Sequence, residues 1–187
     1  MAKLYTTLGL MSGTSGDGVD LSVIKTDGIE FFEVIANSYH EYPQEIYENY
    51  MNLIHNINSK TDIKLHENLI KEFERKYTIL NAHLISKLKK NISEKIDLIG
   101  FHGQTIYHNP EKKISKQIGN AKLLFELTKT KIIYDFRTKD IEKGGQGAPL
   151  TPVFHNMLAK NLNLTPSIFL NIGGILNATT NISKNKF

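Results

Sequence analysis

GLMSGTSGDGVDLSVI, residues 9–24, decides how the rest of the chain is read. Two apolar runs flank an open turn that holds Gly13, Thr14, Ser15, Gly16, Asp17, Gly18, Val19 and Asp20. That pattern predicts two strands joined by a Gly-rich hairpin loop. Glycines leave backbone N–H groups unobstructed by Cβ atoms, so several amides can converge on an anion. Thr14 and Ser15 add hydroxyl donors. Asp17 and Asp20 offer the hard carboxylate oxygens that Mg²⁺ takes when it bridges phosphates. The loop is not a Walker A, because no lysine follows its glycines. Nor is it a dinucleotide fingerprint, because that spacing is absent and a strand follows where a helix would be needed. An ordinary Asp-Gly hairpin turn is the other reading, and the loop alone does not separate the two.

Outward from this loop the pattern stays regular. Residues 3–11, 18–26 and 30–42 read as three strands joined by tight turns, an antiparallel meander. Pro43 opens a helix over 43–58. A second helix is expected from about Lys64 to Asn91, with Leu65, Leu69, Phe73, Tyr77, Leu80, Leu84 and Leu88 on one face. Short strands follow at 96–103, 104–109 and 115–119. Then come a helix at 120–129, a strand at 131–137, a loop at 138–149 and a helix at 150–162. Antiparallel hairpins first and βαβ-like units later predict an α/β class: a mixed sheet flanked by helices.

Composition narrows the function classes. With 40% hydrophobic and 22% charged residues in 187, the chain can bury a core. It has no cysteine, which excludes disulfides, thiolate metal sites and a cysteine nucleophile. No apolar run approaches membrane-spanning length and no signal-peptide core precedes Gly13, so a cytoplasmic protein without a membrane partner is expected. The net charge of +4 comes from scattered lysines. The densest cluster, KLKK at 87–90, ends a helix, where cations favour the dipole. No aromatic residues interleave with it, so no nucleic-acid partner is expected.

Two further stretches carry chemistry. GFHGQTIYHNP, residues 100–110, puts His102, Gln104 and His108 at even spacing, on one face if the segment is a strand. A two-histidine metal site lacks a third ligand, and a polar strand end lining a sugar suits the donors and acceptors better. YDFRTKDIEKGGQGAPLTP, residues 134–152, ends a strand in Asp135 and Arg137 and follows with Asp140 in a loop rich in glycine. A carboxylate beyond a strand end of an α/β sheet sits where ligands bind. Asp140 could take a proton from a nucleophile, and Arg137 could orient a carboxylate or phosphate. A surface Asp135–Arg137 pair beside a turn-forming Asp140 is the plain alternative.

PSIFLNIGGILNATTNI, residues 166–182, repeats the form of the opening hairpin. The echo predicts a duplicated architecture. Residues 1–165 are expected to form one domain, and 166–187 the first hairpin of a second, truncated one.

The motifs GLMSGTSGDGVD, GFHGQTIYH, DFRTKDIEKGGQGAPLTPVFH and NIGGILNAT, in this order, resemble the anhydro-N-acetylmuramic acid kinase family of the actin, sugar kinase and Hsp70-like ATPase superfamily. The resemblance implies a ribonuclease H-like (actin-like ATPase) domain and the start of its duplicate, around an ATP cleft. It implies transfer of the ATP γ-phosphoryl to O6 of 1,6-anhydro-N-acetylmuramic acid with hydrolytic opening of the anhydro ring, a step in cell-wall sugar recycling. By position, Gly13 to Asp20 would be the ATP-phosphate loop, with Mg²⁺. Asp140 would be the base that activates water at the anomeric carbon. His102, Gln104, Asp135 and Arg137 would be sugar-side or supporting residues. Two departures stand out. Gly16 occupies a position where the family often has a larger apolar residue, and family members run roughly twice this length. Two expectations therefore stay open. One is a kinase that acts alone, as a homodimer or with a second polypeptide that supplies the remaining domain. The other is a catalytically inactive, truncated remnant that binds the amino sugar weakly.

Overall fold

The computed structural model describes residues 3–172 and 176–181. The opening meander forms as the alternation predicts: β1 (Tyr5–Met11), β2 (Gly18–Thr26) and β3 (Phe32–Glu41) pair antiparallel. Two helical segments, α1 (Gln44–Asn56) and α2 (Lys60–Leu65), lead into the long α3 (Glu67–Lys89). The chain then returns to the sheet as β4 (Leu98–Phe101), which lies parallel to β1. A separate hairpin, β5 (Gln104–Asn109) and β6 (Ile114–Ile118), precedes α4 (Ala121–Thr128). Parallel to β4 runs β7 (Lys131–Tyr134), so the main sheet is a mixed five-stranded one of order β3-β2-β1-β4-β7. Beyond it come α5 (Thr138–Glu142), α6 (Pro152–Asn161) and a second hairpin, β8 (Ser167–Asn171) with β9 (Asn177–Asn181). The expected α/β class, a mixed sheet flanked by helices, is what is found.

Alternation along β1, β2 and β4 sends Leu8, Leu10, Val19, Leu21, Val23, Ile99 and Phe101 to one face, where all are buried. That face forms one apolar cluster with Ile46, Tyr50 and Leu53 of α1 and with Ile70, Phe73, Tyr77, Ile85 and Leu88 of α3. A row of stacked rings, Tyr50–Phe73–Tyr77–Phe101, runs from α1 through α3 to the end of β4. Each such side chain contributes about 1.5–3 kcal/mol of apolar burial, so the helical layer is locked to the strand ends that carry the loops.

Four sequence expectations need correction. The helix expected from about Lys64 is two helices. Ser59 caps α2 by accepting from the Asp62 amide, and α3 starts afresh at Glu67. Consequently Leu65 is 75% exposed and Leu69 is exposed, whereas Phe73, Tyr77, Leu84 and Leu88 of the expected face are buried, joined by Ile70 and Ile85. Secondly, the strand expected at 131–137 stops at Tyr134. Asp135 takes a left-handed φ of 57°, which ends the pairing. Thirdly, the loop expected at 138–149 begins with the short helix α5. Fourthly, β5 carries a register shift between Thr105 and Tyr107, so even spacing does not keep residues on one face there.

The second hairpin stands as its own two-stranded sheet and leans on α6. His155 stacks on Phe169 and bonds Thr179, and Asn181 donates to Asn156. Its Gly173–Gly174 turn lies outside the described residues. Among the described residues, no helix is long and apolar enough to cross a membrane.

Candidate functional site

The loop between β1 and β2 is a turn closed by the Gly16 amide on the Gly13 carbonyl at 3.2 Å. Buried donors reach this loop from beneath. Gln104 Nε2 donates to the Gly13 carbonyl at 2.8 Å, and the Tyr50 hydroxyl lies 3.1 Å from the Thr14 carbonyl. The Tyr42 amide donates to the Asp17 carbonyl at 3.0 Å. Thr14, Ser15, Asp17 and Asp20 are exposed, and the Ser15 hydroxyl donates to Asp17 Oδ1 at 2.7 Å. Gly16 has φ 71° and faces the Tyr50 ring, where an added Cβ would sit 2.3 Å from Cδ1. A larger residue at this position is therefore incompatible with Tyr50 as placed. Gly18 is closed off by the His40 carbonyl, and Val19 is a core side chain with no exposure. As placed, Val19 offers a ligand neither side chain nor backbone.

The segment 102–105 joins this loop to a second one. Gln104 is expected at the sugar, but its side chain is fully buried and both its ends are taken. The carboxamide nitrogen holds Gly13, and Oε1 accepts from the Tyr42 hydroxyl at 2.9 Å. Ser12 Oγ lies 2.6 Å from Tyr42 and 3.1 Å from Tyr77, completing a buried row of hydroxyls. Burial pushes the Tyr42 and Tyr77 hydroxyls up, so this row stays neutral at working pH.

His102 sits in the connection between β4 and β5. Its Nδ1 pairs with the Gly103 carbonyl at 2.7 Å, and its Nε2 accepts from Arg137 Nε at 2.9 Å. A carbonyl can only accept, so the proton lies on Nδ1 and the ring is neutral. Burial, and then the Arg137 charge, push the His102 pKa down to about 4. With both ring nitrogens used, His102 has no lone pair for a metal. His108 is exposed, off the face of Gln104, and pairs with Ser115. Among the described residues no cluster of three metal-ligating side chains occurs.

Arg137 continues the chain by donating from Nη1 to the Gly147 carbonyl at 2.5 Å. The Gly147 amide donates to Asp140 Oδ2 at 2.7 Å, and the Gly145 amide to the Asp140 carbonyl at 2.8 Å. Asp140 therefore projects from α5 with one carboxylate oxygen tied and the other free for a proton. Gly145 lies so close that an added Cβ would fall 2.2 Å from the carboxylate. Asp135 is not paired with Arg137; its Oδ1 accepts from the Thr138 hydroxyl and amide and caps α5. Among the described residues Arg137 has no carboxylate partner, so its charge is open to an anionic ligand.

Around Tyr39, burial and the charges of Asp17, Glu41 and Asp20 push the hydroxyl pKa up. That acidic rim beside the Gly-rich loop suits a phosphate chain carried with a cation better than a bare one. Mg²⁺ keeps most of its waters and needs only one or two carboxylates, and Asp17 and Asp20 would be those that hold it.

Sequence reading missed Ser12, Tyr42, Tyr50 and Tyr77, which hold the loops from inside. Their apolar rings at core spacing conceal the polar function of their hydroxyls.

Comparison with known proteins points to the family that the motifs resemble. Residues 5–186 match the family model described as anhydro-N-acetylmuramic acid kinase. A protein of that name from Pelagibacter ubique is 50% identical over 186 residues, covering 99% of this chain and 50% of the relative. One from Agrobacterium fabrum is 37% identical over 186 residues, covering 96% and 50%. Another, from Bradyrhizobium diazoefficiens, is 39% identical over 185 residues, covering 94% and 49%. The chain spans about half the length of the curated relatives it matches.

Proposed function

The chain belongs to the anhydro-N-acetylmuramic acid kinase family, and we propose that it carries the phosphate loop and the general base of that reaction. The observation that supports this reading most is the hydrogen-bonded run from the Gly13 loop through residues 102–105 to Arg137, Gly147 and Asp140. It supports the reading because an exposed Gly-rich turn and an exposed carboxylate share one hydrogen-bonded framework, which suits a reaction that joins phosphoryl transfer to water attack.

In the proposed chemistry, Asp140 takes a proton from water as its oxygen bonds to the anomeric carbon of the 1,6-anhydro sugar. The C1–O6 bond breaks, O6 accepts the γ-phosphoryl of ATP, and ADP leaves. Thr14 and Ser15 orient the phosphates, and Arg137 supplies positive charge to an anionic group of the sugar or the phosphates. Mg²⁺, when bound, neutralises phosphate charge. Asp135 supports Asp140 through α5, and His102 supports Arg137.

The finer fold assignment, a ribonuclease H-like (actin-like ATPase) domain, fits the β3-β2-β1-β4-β7 order. The hairpin at 167–181 is read as the opening of a duplicate domain, supported by its echo of the first. ATP as donor fits a cytoplasmic location.

The test is phosphoryl transfer from labelled ATP to 1,6-anhydro-N-acetylmuramic acid. Labelled sugar 6-phosphate with an opened ring is expected. Label passing to an ordinary hexose, or ATP hydrolysis that leaves the anhydro sugar untouched, contradicts the reading.

A further inference from the structure

Two carbonyls in the Gly-rich loop are held by buried side chains from distant parts of the chain. Gly13 is held by Gln104, 91 residues away, and Thr14 by Tyr50, 36 residues away. In a trans peptide the carbonyl of one residue and the amide of the next point in opposite directions. Drawing the Gly13 and Thr14 carbonyls inward therefore turns the Thr14 and Ser15 amides outward. These are consecutive N–H groups on exposed residues, and among the described residues neither donates to any protein group. Two adjacent outward amides form an anion nest.

We propose that Gln104 and Tyr50 are positioning residues of the phosphate loop, which pin two carbonyls inward and so fix the Thr14 and Ser15 amides toward the phosphates. The proposal rests on the kinase reading and removes Gln104 from contact with the sugar. The Tyr50 hydroxyl also lies 3.1 Å from the Thr105 carbonyl, next to Gln104, so its single proton is shared between two acceptors. Its ring occupies the space that Gly16 leaves. One side chain thus fixes the turn's conformation and the direction of its peptide planes. A preorganised amide pair loses little freedom on binding, whereas a mobile loop must be ordered first.

The experiment compares the wild-type chain with Tyr50→Phe and Gln104→Met, both close in size to the residue replaced. Tyr47→Phe, an exposed tyrosine on the same helix, is the control. Backbone order parameters are measured by NMR without ligand, and affinity is measured for inorganic tripolyphosphate with Mg²⁺ and for the anhydro sugar. Wild type is expected to be rigid at Thr14 and Ser15, with order parameters near about 0.85. Both variants should lower those two values and weaken tripolyphosphate about three- to tenfold, the worth of one hydrogen bond. Sugar affinity should not change. Unchanged order at Thr14 and Ser15 in both variants overturns the proposal while leaving the kinase reading intact. So does a Gln104→Met chain that loses sugar affinity but keeps tripolyphosphate. A wild-type chain that binds no tripolyphosphate overturns the phosphate reading and the proposal with it.

Discussion

Arg137 donates its Nε–H to Nε2 of a neutral His102, a cation bonded to an imidazole instead of a carboxylate. The arrangement holds the guanidinium in place without cancelling its charge. It also requires that His102 stay unprotonated, because the imidazolium would turn a donor toward a donor.

That requirement makes folding depend on pH. Unfolded, His102 titrates near its ordinary 6.5; folded, its pKa falls to about 4. Between those values the unfolded chain binds more protons, so stability is fully present above about pH 6.5 and is lost as pH falls toward 4. The loss is at most on the order of 3 kcal/mol. Urea midpoints measured across that range should fall with acid, and His102→Gln should flatten the slope. An equal slope in the variant would place the acid sensitivity elsewhere.

Gly16 and Gly28 separate backbone strain from steric conflict. Both have positive φ, 71° and 78°, but only Gly16 faces a ring; a Cβ on Gly28 meets nothing within 4 Å. Gly28→Ala should cost about 1–2 kcal/mol from strain alone. Gly16→Ala should cost roughly 1–3 kcal/mol more, because the Tyr50 ring must move within a packed core. Equal costs by chemical denaturation would mean that Tyr50 is not seated against the loop.

Asp140 and Asp135 are both exposed carboxylates, yet their partners differ. Asp140→Asn should reduce phosphoryl transfer by on the order of 10²–10⁴-fold while sugar binding persists. Asp135→Asn should change turnover less than about tenfold, because Asn tolerates the left-handed φ and can still cap α5. The reverse ranking of kcat would exchange their roles.

Gly145 offers a subtler probe of the same carboxylate. Its backbone is unstrained, and the group an added Cβ would strike is the end of the Asp140 side chain. Gly145→Ala should displace the carboxylate with a stability change below about 1 kcal/mol, and lower turnover toward that of Asp140→Asn. Wild-type turnover in this variant would show that the carboxylate's present position does not matter to the reaction.

The hairpins, the helical face of α3 and the α/β class were legible because alternation and helical period act locally. The split at His66 and the end of β7 at Asp135 were not, since a Ser59 cap and one left-handed residue decide them against a continuous apolar pattern. At the candidate site, the glycines and Asp140 stand out by residue type. Gln104 was recognised as important but given the wrong surroundings: a polar residue at a strand start reads as ligand-facing, and only three dimensions bring Gly13 and Tyr42 to it. The tyrosine hydroxyls left no sequence signal apart from their rings.

On the proposed reading, the loop at 13–17 receives the phosphates and the segment at 135–147 receives the sugar. Amide hydrogen exchange of the whole chain, with Mg·ATP and with 1,6-anhydro-N-acetylmuramic acid added separately, tests it most directly. Slowed exchange is expected at 13–17 with the nucleotide and at 135–147 with the sugar. Protection by the nucleotide outside 13–20, or by the sugar outside 135–147, would contradict it.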